Sequence, residues 1–278
     1  MRMSSGSGRD SMGDGIIYDF GMNNGDDVEY YLLKGARVVG VEANLSLCDM
    51  VERRFADAIA SGRFVVLNVA LSDQESGRPV RFYLHKTNHV LSQLPRPSDD
   101  QLQNFDEVEV RCRTPAGIVR EFGQPAYIKI DVEHFDLVVL NNLFAAGIFP
   151  PEISAESHSA DIFACLVANG YSSFNLVDGP TVARRYGHAT ISTPQGRREF
   201  RFKKHSAGPF GEDILTPWED ANTFLHTLAI AGLGWKDIHA SRVIPPQLPA
   251  SHQQILTRQA VGVAKKVIAG LKGRILPG

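Results

Sequence analysis

Cysteine is scarce in this chain. Its 278 residues contain three, Cys48, Cys112 and Cys165, far apart and without a C-x-x-C pair. A disulfide framework and a zinc knuckle are disfavoured on that count, and a reducing cytoplasmic location is expected. No apolar run approaches the roughly 20 residues needed to span a bilayer, so no transmembrane segment is expected. The opening MRMSSGSGRDSMGDG lacks the apolar stretch of a secretion signal. Nor is there an excess of one charge: 29 Lys and Arg stand against 31 Asp and Glu, a net −2. That balance gives no global attraction to nucleic acid or to a membrane surface. The remaining composition, 43% hydrophobic and 22% charged, is that of a globular protein whose length supports one large core.

The organising stretch is GIIYDFGMNNGDDVEYYLLKGARVVGVEAN, residues 15–44. Ile16-Ile17-Tyr18 is short enough for a buried strand. Asp19-Phe20-Gly21-Met22-Asn23-Asn24-Gly25 follows as a glycine-bearing turn, and Asp26 or Asp27 can cap a helix carrying Val28, Tyr31 and Leu32. Gly35 closes that helix. Val38-Val39-Gly40-Val41 is a second strand, ending on Glu42. This βαβ unit points to a nucleoside ligand. Gly21 and Gly25 remove side chains where a ligand approaches backbone, the helix N-terminus offers free N–H groups, and a carboxylate at Glu42 can accept both hydroxyls of a ribose. The spacing is G-x-x-x-G rather than the G-x-G-x-x-G of dinucleotide sites. Asp26 and Asp27 would repel a pyrophosphate. S-adenosylmethionine therefore suits the loop better than NAD, which would make the chain an oxidoreductase.

Further along, 45–60 reads as a helix and 64–71 as a strand. Asn68, Ser72 and Asp73 lie at or just past that strand's end, where an adenine amino group could meet them. Residues 74–115 look inserted. Two alternating strands, 80–84 and 108–112, flank a polar segment with His85, Lys86, Asn88, His89 and Ser92, and the insertion is expected to cover part of the site. Strands at 126–130, 152–156 and 171–176 alternate with helices at 135–146 and 161–168. This implies a doubly wound α/β sheet, mostly parallel. Lys129 inside a buried strand needs a partner. Asp131, Glu133 and His134 follow where open α/β sheets do chemistry, with Glu156 and His158 at the next strand end. Residues 198–202 are expected as an edge strand, 218–233 as a helix, and 251–273 as a basic amphipathic helix. The basic residues from Arg184 to His205 form a solvated face or a patch for an acidic substrate.

With these segments assembled, the chain resembles the FkbM family of S-adenosylmethionine-dependent methyltransferases. The likeness rests on residues 16–44, on VVLNVALSD, on YIKIDVEHFDLVVLNNL and on PEISAES. It implies a Rossmann-like sheet of seven strands, the last antiparallel, and methylation of hydroxyl groups on glycans or secondary metabolites. It also implies that Asp19, Gly21, Met22, Asn23 and Gly25 form the methionine-binding loop, that Glu42 with Ala43 meets the ribose, and that Lys129, Asp131 and Glu133 lie beside the transferred methyl. Three positions depart from the pattern: His134 where Gly is usual, Ala43 where Pro is usual, and Thr114-Pro115-Ala116 where the usual acid is missing.

Asp131 is the expected general base with His134 as its alternative, because methyl transfer to oxygen requires removal of a proton. A divalent Mg or Mn ion among Asp131, Glu133, His134, Glu156 and His158 is chemically reasonable but is left out of the assignment. The competing reading is a cofactor-binding partner module without turnover. The expected organisation is a disordered segment over 1–14, a methyltransferase domain over 15–215, and a helical extension over 216–278. The expected partner is a small-molecule or glycan substrate, and homodimerisation is left open.

Overall fold

The computed structural model describes residues 15–74 and 78–247. In chain order the elements are β1 (Ile16–Phe20), α1 (Val28–Leu33), β2 (Arg37–Glu42), α2 (Leu45–Arg54), α3 (Ala56–Ala60), β3 (Phe64–Asn68), β4 (Ala70–Leu71), β5 (Val80–His85), β6 (Phe105–Val110) and β7 (Cys112–Arg113). They continue with α4 (Pro115–Phe122), β8 (Pro125–Ile130), α5 (Asp136–Ala145), β9 (Glu152–Ser157), α6 (Ala160–Ala168) and β10 (Ser173–Asp178). The last are α7 (Val182–Arg185), β11 (Ala189–Thr193), β12 (Gly196–Phe200), α8 (Ala221–Ala231) and β13 (Gly234–Ser241).

Seven strands make one sheet in the order β10-β13-β9-β8-β1-β2-β3. β1, β2, β3, β8 and β9 run parallel, and β13 is antiparallel to both its neighbours. The apolar runs IIYDF and PAYIKI have no polar face because helices cover both sides of the sheet. Alternate residues supply two cores. Tyr18, Val39 and Ile128 pack on one side with Leu140, Leu143 and Ile162. Ile17, Val38 and Tyr127 pack on the other with Val28, Tyr31 and Phe210.

The expected α/β architecture is present, with several elements redrawn. The helix expected over 45–60 breaks at Phe55, whose ring turns onto Phe64 at 5.6 Å. The strand expected over 64–71 divides: β3 stays in the main sheet, while β4 pairs with β7 in a separate ladder. The two strands expected in the insertion are present as β5 and β6, which pair antiparallel with Val80 opposite Val110. The edge strand expected at 198–202 is not in the sheet. β12 pairs only with β11, and this hairpin leads into Phe202, which packs against Tyr30 at 4.8 Å.

The largest correction lies beyond residue 215. The expected helical extension includes α8 but also supplies β13, inserted between β9 and β10. Residues 234–241 therefore belong to the central sheet. GWKDIHAS carries no strand signal of its own because its charged and small residues lack the apolar run of a parallel strand. The segments expected as a disordered start (1–14) and as a basic helix (251–273) lie outside the described residues.

Candidate active site

At β1 the sheet order reverses: β2 and β3 lie on one side, β8 and β9 on the other. Open α/β sheets bind ligands beyond the strand C-termini at such a switch point. A cavity of about 620 Å³ opens there, walled by the β1 turn, the end of β2, the residues after β8 and β9, and the β5–β6 insertion. That is the size of a small-molecule site. The insertion supplies Phe82, His89, Ser92 and Leu94 to the wall.

The turn after β1 is fixed by packing. Gly21 has φ +83°, and a Cβ there would stand 1.8 Å from the carbonyl oxygen of Asp131. Only glycine lets the β1 and β8 turns touch. Gly21, Met22, Asn23, Glu42 and Ala43 all line the cavity. Glu42 is clamped by two backbone donors: Asn23 N–H to Oε2 at 3.0 Å and Asn44 N–H to Oε1 at 2.8 Å. Burial raises its pKa above the ordinary carboxylate value, partly offset by those donors.

Asp19, Gly25, Asn68 and Ser72 are behind this wall rather than on it. Gly25 has φ +70° and faces Val51 of α2. Asn68 donates to the carbonyls of Glu42 and Ala43 at 3.1 and 3.0 Å, which fixes the end of β2. The Ser72 hydroxyl accepts from Gln74 N–H at 3.2 Å. Asp19 is fully buried and faces Lys129, with Nζ to Oδ1 at 3.4 Å. Asp27 occupies the N-cap position of α1 without a side-chain cap. Its carboxylate accepts from the Ser206 hydroxyl and from Ala207 N–H at 3.0 Å. Burial pushes its pKa up to about 6.

Lys129 lines the cavity floor and is the electrostatic hub of the site. Its ammonium meets Asp19, the Asp131 carboxylate at 3.2 Å and the Gly21 carbonyl at 3.2 Å. Burial alone would lower its pKa, but Asp19, Asp131, Asp27 and Asp237 raise it well above the ordinary value.

At the other end of the cavity, Glu133 and His134 take left-handed backbone, φ +25° and +63°. Such strain in non-glycine residues concentrates at functional sites. His158 Nε2 pairs with Glu156 Oε2 at 2.9 Å and lies 3.9 Å from Glu133 Oε2. The rings of His134 and His158 stand 4.7 Å apart. The Glu156 hydrogen bond drives the His158 pKa up to about 9, so at neutral pH it is an imidazolium. Burial, reinforced by the Asp131 and Glu156 carboxylates, brings Glu133 up to about 7. Burial and then His158 lower the pKa of His134. Of the set expected for a metal, Glu133, His134, Glu156 and His158 come to one end of the cavity, where His158 pairs with Glu156, while Asp131 pairs with Lys129. Among the described residues no group of three or more His, Cys, Asp or Glu side chains is arranged to hold a metal ion.

The family profile of the methyltransferase FkbM domain matches residues 19–161, just over half of the chain. This chain belongs to the FkbM methyltransferase family. No curated protein matches it. Among solved structures it is similar to a precorrin-6y C5,15-methyltransferase from Geobacter metallireducens, at 10% identity over 82% of this chain and 80% of that one, TM-score 0.36. It is also similar to an O-methyltransferase from Bacillus cereus in complex with SAH, at 11% identity over 83% and 76%, TM-score 0.34. A third is a putative RNA methyltransferase from Pyrococcus horikoshii, at 12% identity over 83% and 76%, TM-score 0.35.

As an FkbM methyltransferase the protein uses S-adenosylmethionine, and the cavity residues fit that cofactor. Glu42, clamped at a strand end, presents a carboxylate suited to a ribose diol. Met22, Ala43 and the stretch Val69 to Leu71 give an apolar wall for a flat base. Asp131 on the β8 side offers negative charge to a cationic ligand. When bound, S-adenosylmethionine supplies an electrophilic methyl on a sulfonium.

Among the residues lining the cavity of the FkbM enzyme, Trp235 had no place in the sequence reading, and His205 entered it only as part of the basic segment. Both lie beyond the matched segment. The pair of glycines around Leu233, Gly232 at φ +73° and Gly234 at φ +119°, is the one local sign that the chain bends sharply before Trp235.

Proposed function

We propose that this FkbM enzyme is an O-methyltransferase acting on a hydroxyl group of a sugar, glycan or secondary metabolite. The observation that carries this reading is the group at the β8 and β9 ends: Glu133, with a pKa near neutrality, beside the Glu156–His158 ion pair on the cavity wall. A general base works best with a pKa near the operating pH. Glu133 meets that condition, and its carboxylate is free of Lys129. Asp131 is engaged by Lys129 at 3.2 Å and lies closer to the cofactor loop. In this reading Glu133 accepts the hydroxyl proton as the acceptor oxygen bonds to the methyl carbon. Bound S-adenosylmethionine would supply that methyl and leave as the neutral thioether, its sulfur keeping the electron pair of the former S–C bond. The His158 imidazolium sits close enough to stabilise the Glu133 carboxylate and orient it, and Lys129 fixes Asp131 and the Gly21 turn.

The net charge of −2 and the carboxylates around the cavity support a neutral hydroxylated acceptor over nucleic acid. The three free cysteines fit a reducing cytoplasm. No helix among the described residues is long and apolar enough to cross a membrane.

The test has two stages. S-adenosylhomocysteine is expected to raise the melting temperature, and Glu42→Ala is expected to remove that shift. Labelled S-adenosylmethionine is then offered with a panel of glycosides and natural-product alcohols, and the methylated atom is located by NMR. A wild-type protein whose melting temperature does not respond to millimolar S-adenosylhomocysteine would refute the proposal.

A further inference from the structure

The antiparallel strand β13 does not pair evenly with β9. Gly234 stands opposite Ser157 and Asp237 opposite Glu156, so Trp235 and Lys236 have no partner of their own on β9. This is a bulge, and bulges re-aim side chains next to active sites. The Ser157 hydroxyl pins it by donating to the Gly234 carbonyl at 3.0 Å. Lys236 turns back toward Asp178 on β10, Nζ to Oδ1 at 4.0 Å. Trp235 is thrown the other way, into the cavity mouth, beside the end of β9 that carries Glu156 and His158.

The indole rests on backbone. A Cβ at Gly179 would come within 2.5 Å of Trp235 Nε1, so only glycine allows that contact. The His205 ring lies nearly parallel at 6.0 Å and 17°. Supported this way, the indole is still 42% exposed. A supported, half-open aromatic surface faces a wall of carboxylates and imidazoles.

We infer that Trp235 is the platform on which the acceptor sits, and that the acceptor presents a pyranose ring. This inference rests on the hydroxyl-methylation reading above. The face of an indole carries partial negative charge and attracts polarised C–H groups, as on one face of a sugar ring. The sugar's hydroxyl edge would then meet Glu133, Glu156 and His158, which accept or donate hydrogen bonds in charge-assisted pairs. A flat apolar acceptor would stack equally well but would leave those charged groups facing hydrocarbon, a costly arrangement. The platform lies outside the segment that defines the family, where acceptor selection can vary without disturbing the cofactor site.

The test uses the full chain saturated with S-adenosylhomocysteine and a panel of methyl pyranosides as probes. The protein has two tryptophans. Trp218 is 4% exposed and Trp235 is 42% exposed, so a saccharide-induced change in tryptophan emission reports on Trp235. Saturation-transfer NMR of the same pyranosides extends the measurement to variants. At least one pyranoside is expected to shift the emission and to receive saturation. Trp235→Ala is expected to weaken that pyranoside by about tenfold, with Trp235→Phe in between. Both variants should keep the wild-type response to S-adenosylhomocysteine. If S-adenosylhomocysteine binds but no pyranoside does, or if phenols and catechols perturb Trp235 and pyranosides do not, the acceptor inference fails while the methyltransferase reading stands. If Trp235→Ala leaves pyranoside binding unchanged, the platform is wrong. If S-adenosylhomocysteine itself fails to bind, the parent reading fails.

Discussion

Lys129→Met removes, among the described residues, the only side chain within ion-pair distance of Asp19. Asp19 is 0% exposed and Lys129 is 4% exposed, in adjacent strands of the central sheet. Neither Asp19 oxygen has a hydrogen bond beyond the 3.4 Å contact with Nζ. Breaking a buried pair by deleting one partner costs about 3–5 kcal/mol, because a buried charge is left without compensation. For a domain of this size each kcal/mol moves the melting temperature by about 2–4 °C, so a fall of about 6–20 °C is expected. Asp131 also loses a partner, but it is partly exposed and water replaces much of that interaction. The pH dependence has a definite sign. Burial already raises the Asp19 pKa, and the ammonium opposes that rise. Without Lys129 the folded-state pKa climbs further. A carboxyl whose folded pKa lies above its unfolded one favours folding below the unfolded value of about 3.9, and that advantage disappears as pH rises through the folded value. The variant's deficit should therefore be larger at pH 8 than at pH 5. Urea unfolding followed by near-UV circular dichroism at both pH values measures it. The double variant Asp19→Asn/Lys129→Met should recover most of the loss. A single variant within about 1 kcal/mol of wild type at both pH values would refute the idea that Lys129 neutralises a buried carboxylate.

Gly21→Ala should be destabilising and should abolish S-adenosylhomocysteine binding in calorimetry, since its Cβ would stand 1.8 Å from the Asp131 carbonyl oxygen at φ +83°. A variant that binds normally would mean that the two turns separate freely. For the accepted glycoside, kcat/KM should rise with pH through about 7 and then level, because the base must be deprotonated. Glu133→Gln should lower the rate by about 10²–10⁴ and remove that inflection. An intact inflection in the variant would transfer the role to another group. His239 is buried in β13 and its pKa is pushed down to about 3 by burial. A base with a depressed folded pKa gives stability that is complete above its unfolded value of about 6.5 and is lost as pH falls toward the folded one. His239→Leu should flatten the stability profile between pH 6.5 and 4.5, measured by urea unfolding at each pH. An unchanged slope would assign acid sensitivity elsewhere.

Much of the fold was legible in local patterns. The runs Ile16–Phe20, Arg37–Glu42 and Pro125–Ile130 are apolar on both faces, apart from the buried pair Asp19 and Lys129 and the charged ends Arg37 and Glu42, because parallel strands are covered on both sides. The turn from Asp19 to Gly25 and the acid ending β2 could be read as a ligand cradle because they lie within one βαβ unit. Three kinds of fact could not be read this way. Asp19 was assigned to the cofactor loop, yet side-chain alternation turns it under the floor toward Lys129, a partner 110 residues away in sequence. Asn68 ends β3 and Ser72 follows β4, which leaves the main sheet, and both polar groups serve backbone rather than cavity. β13 and its bulge come from a stretch with no apolar periodicity, because an antiparallel strand slotted between two others is defined by its neighbours' hydrogen bonds.

The sequence by itself determined the family, the doubly wound sheet and the end of the sheet where the cofactor loop lies, because each follows from contacts between residues close in the chain. Only the tertiary structure decided that Glu133 has a proton affinity near neutrality and that Trp235 lines the cavity. Both depend on burial and on charges brought together from distant segments, and those are properties of packing that no local pattern encodes.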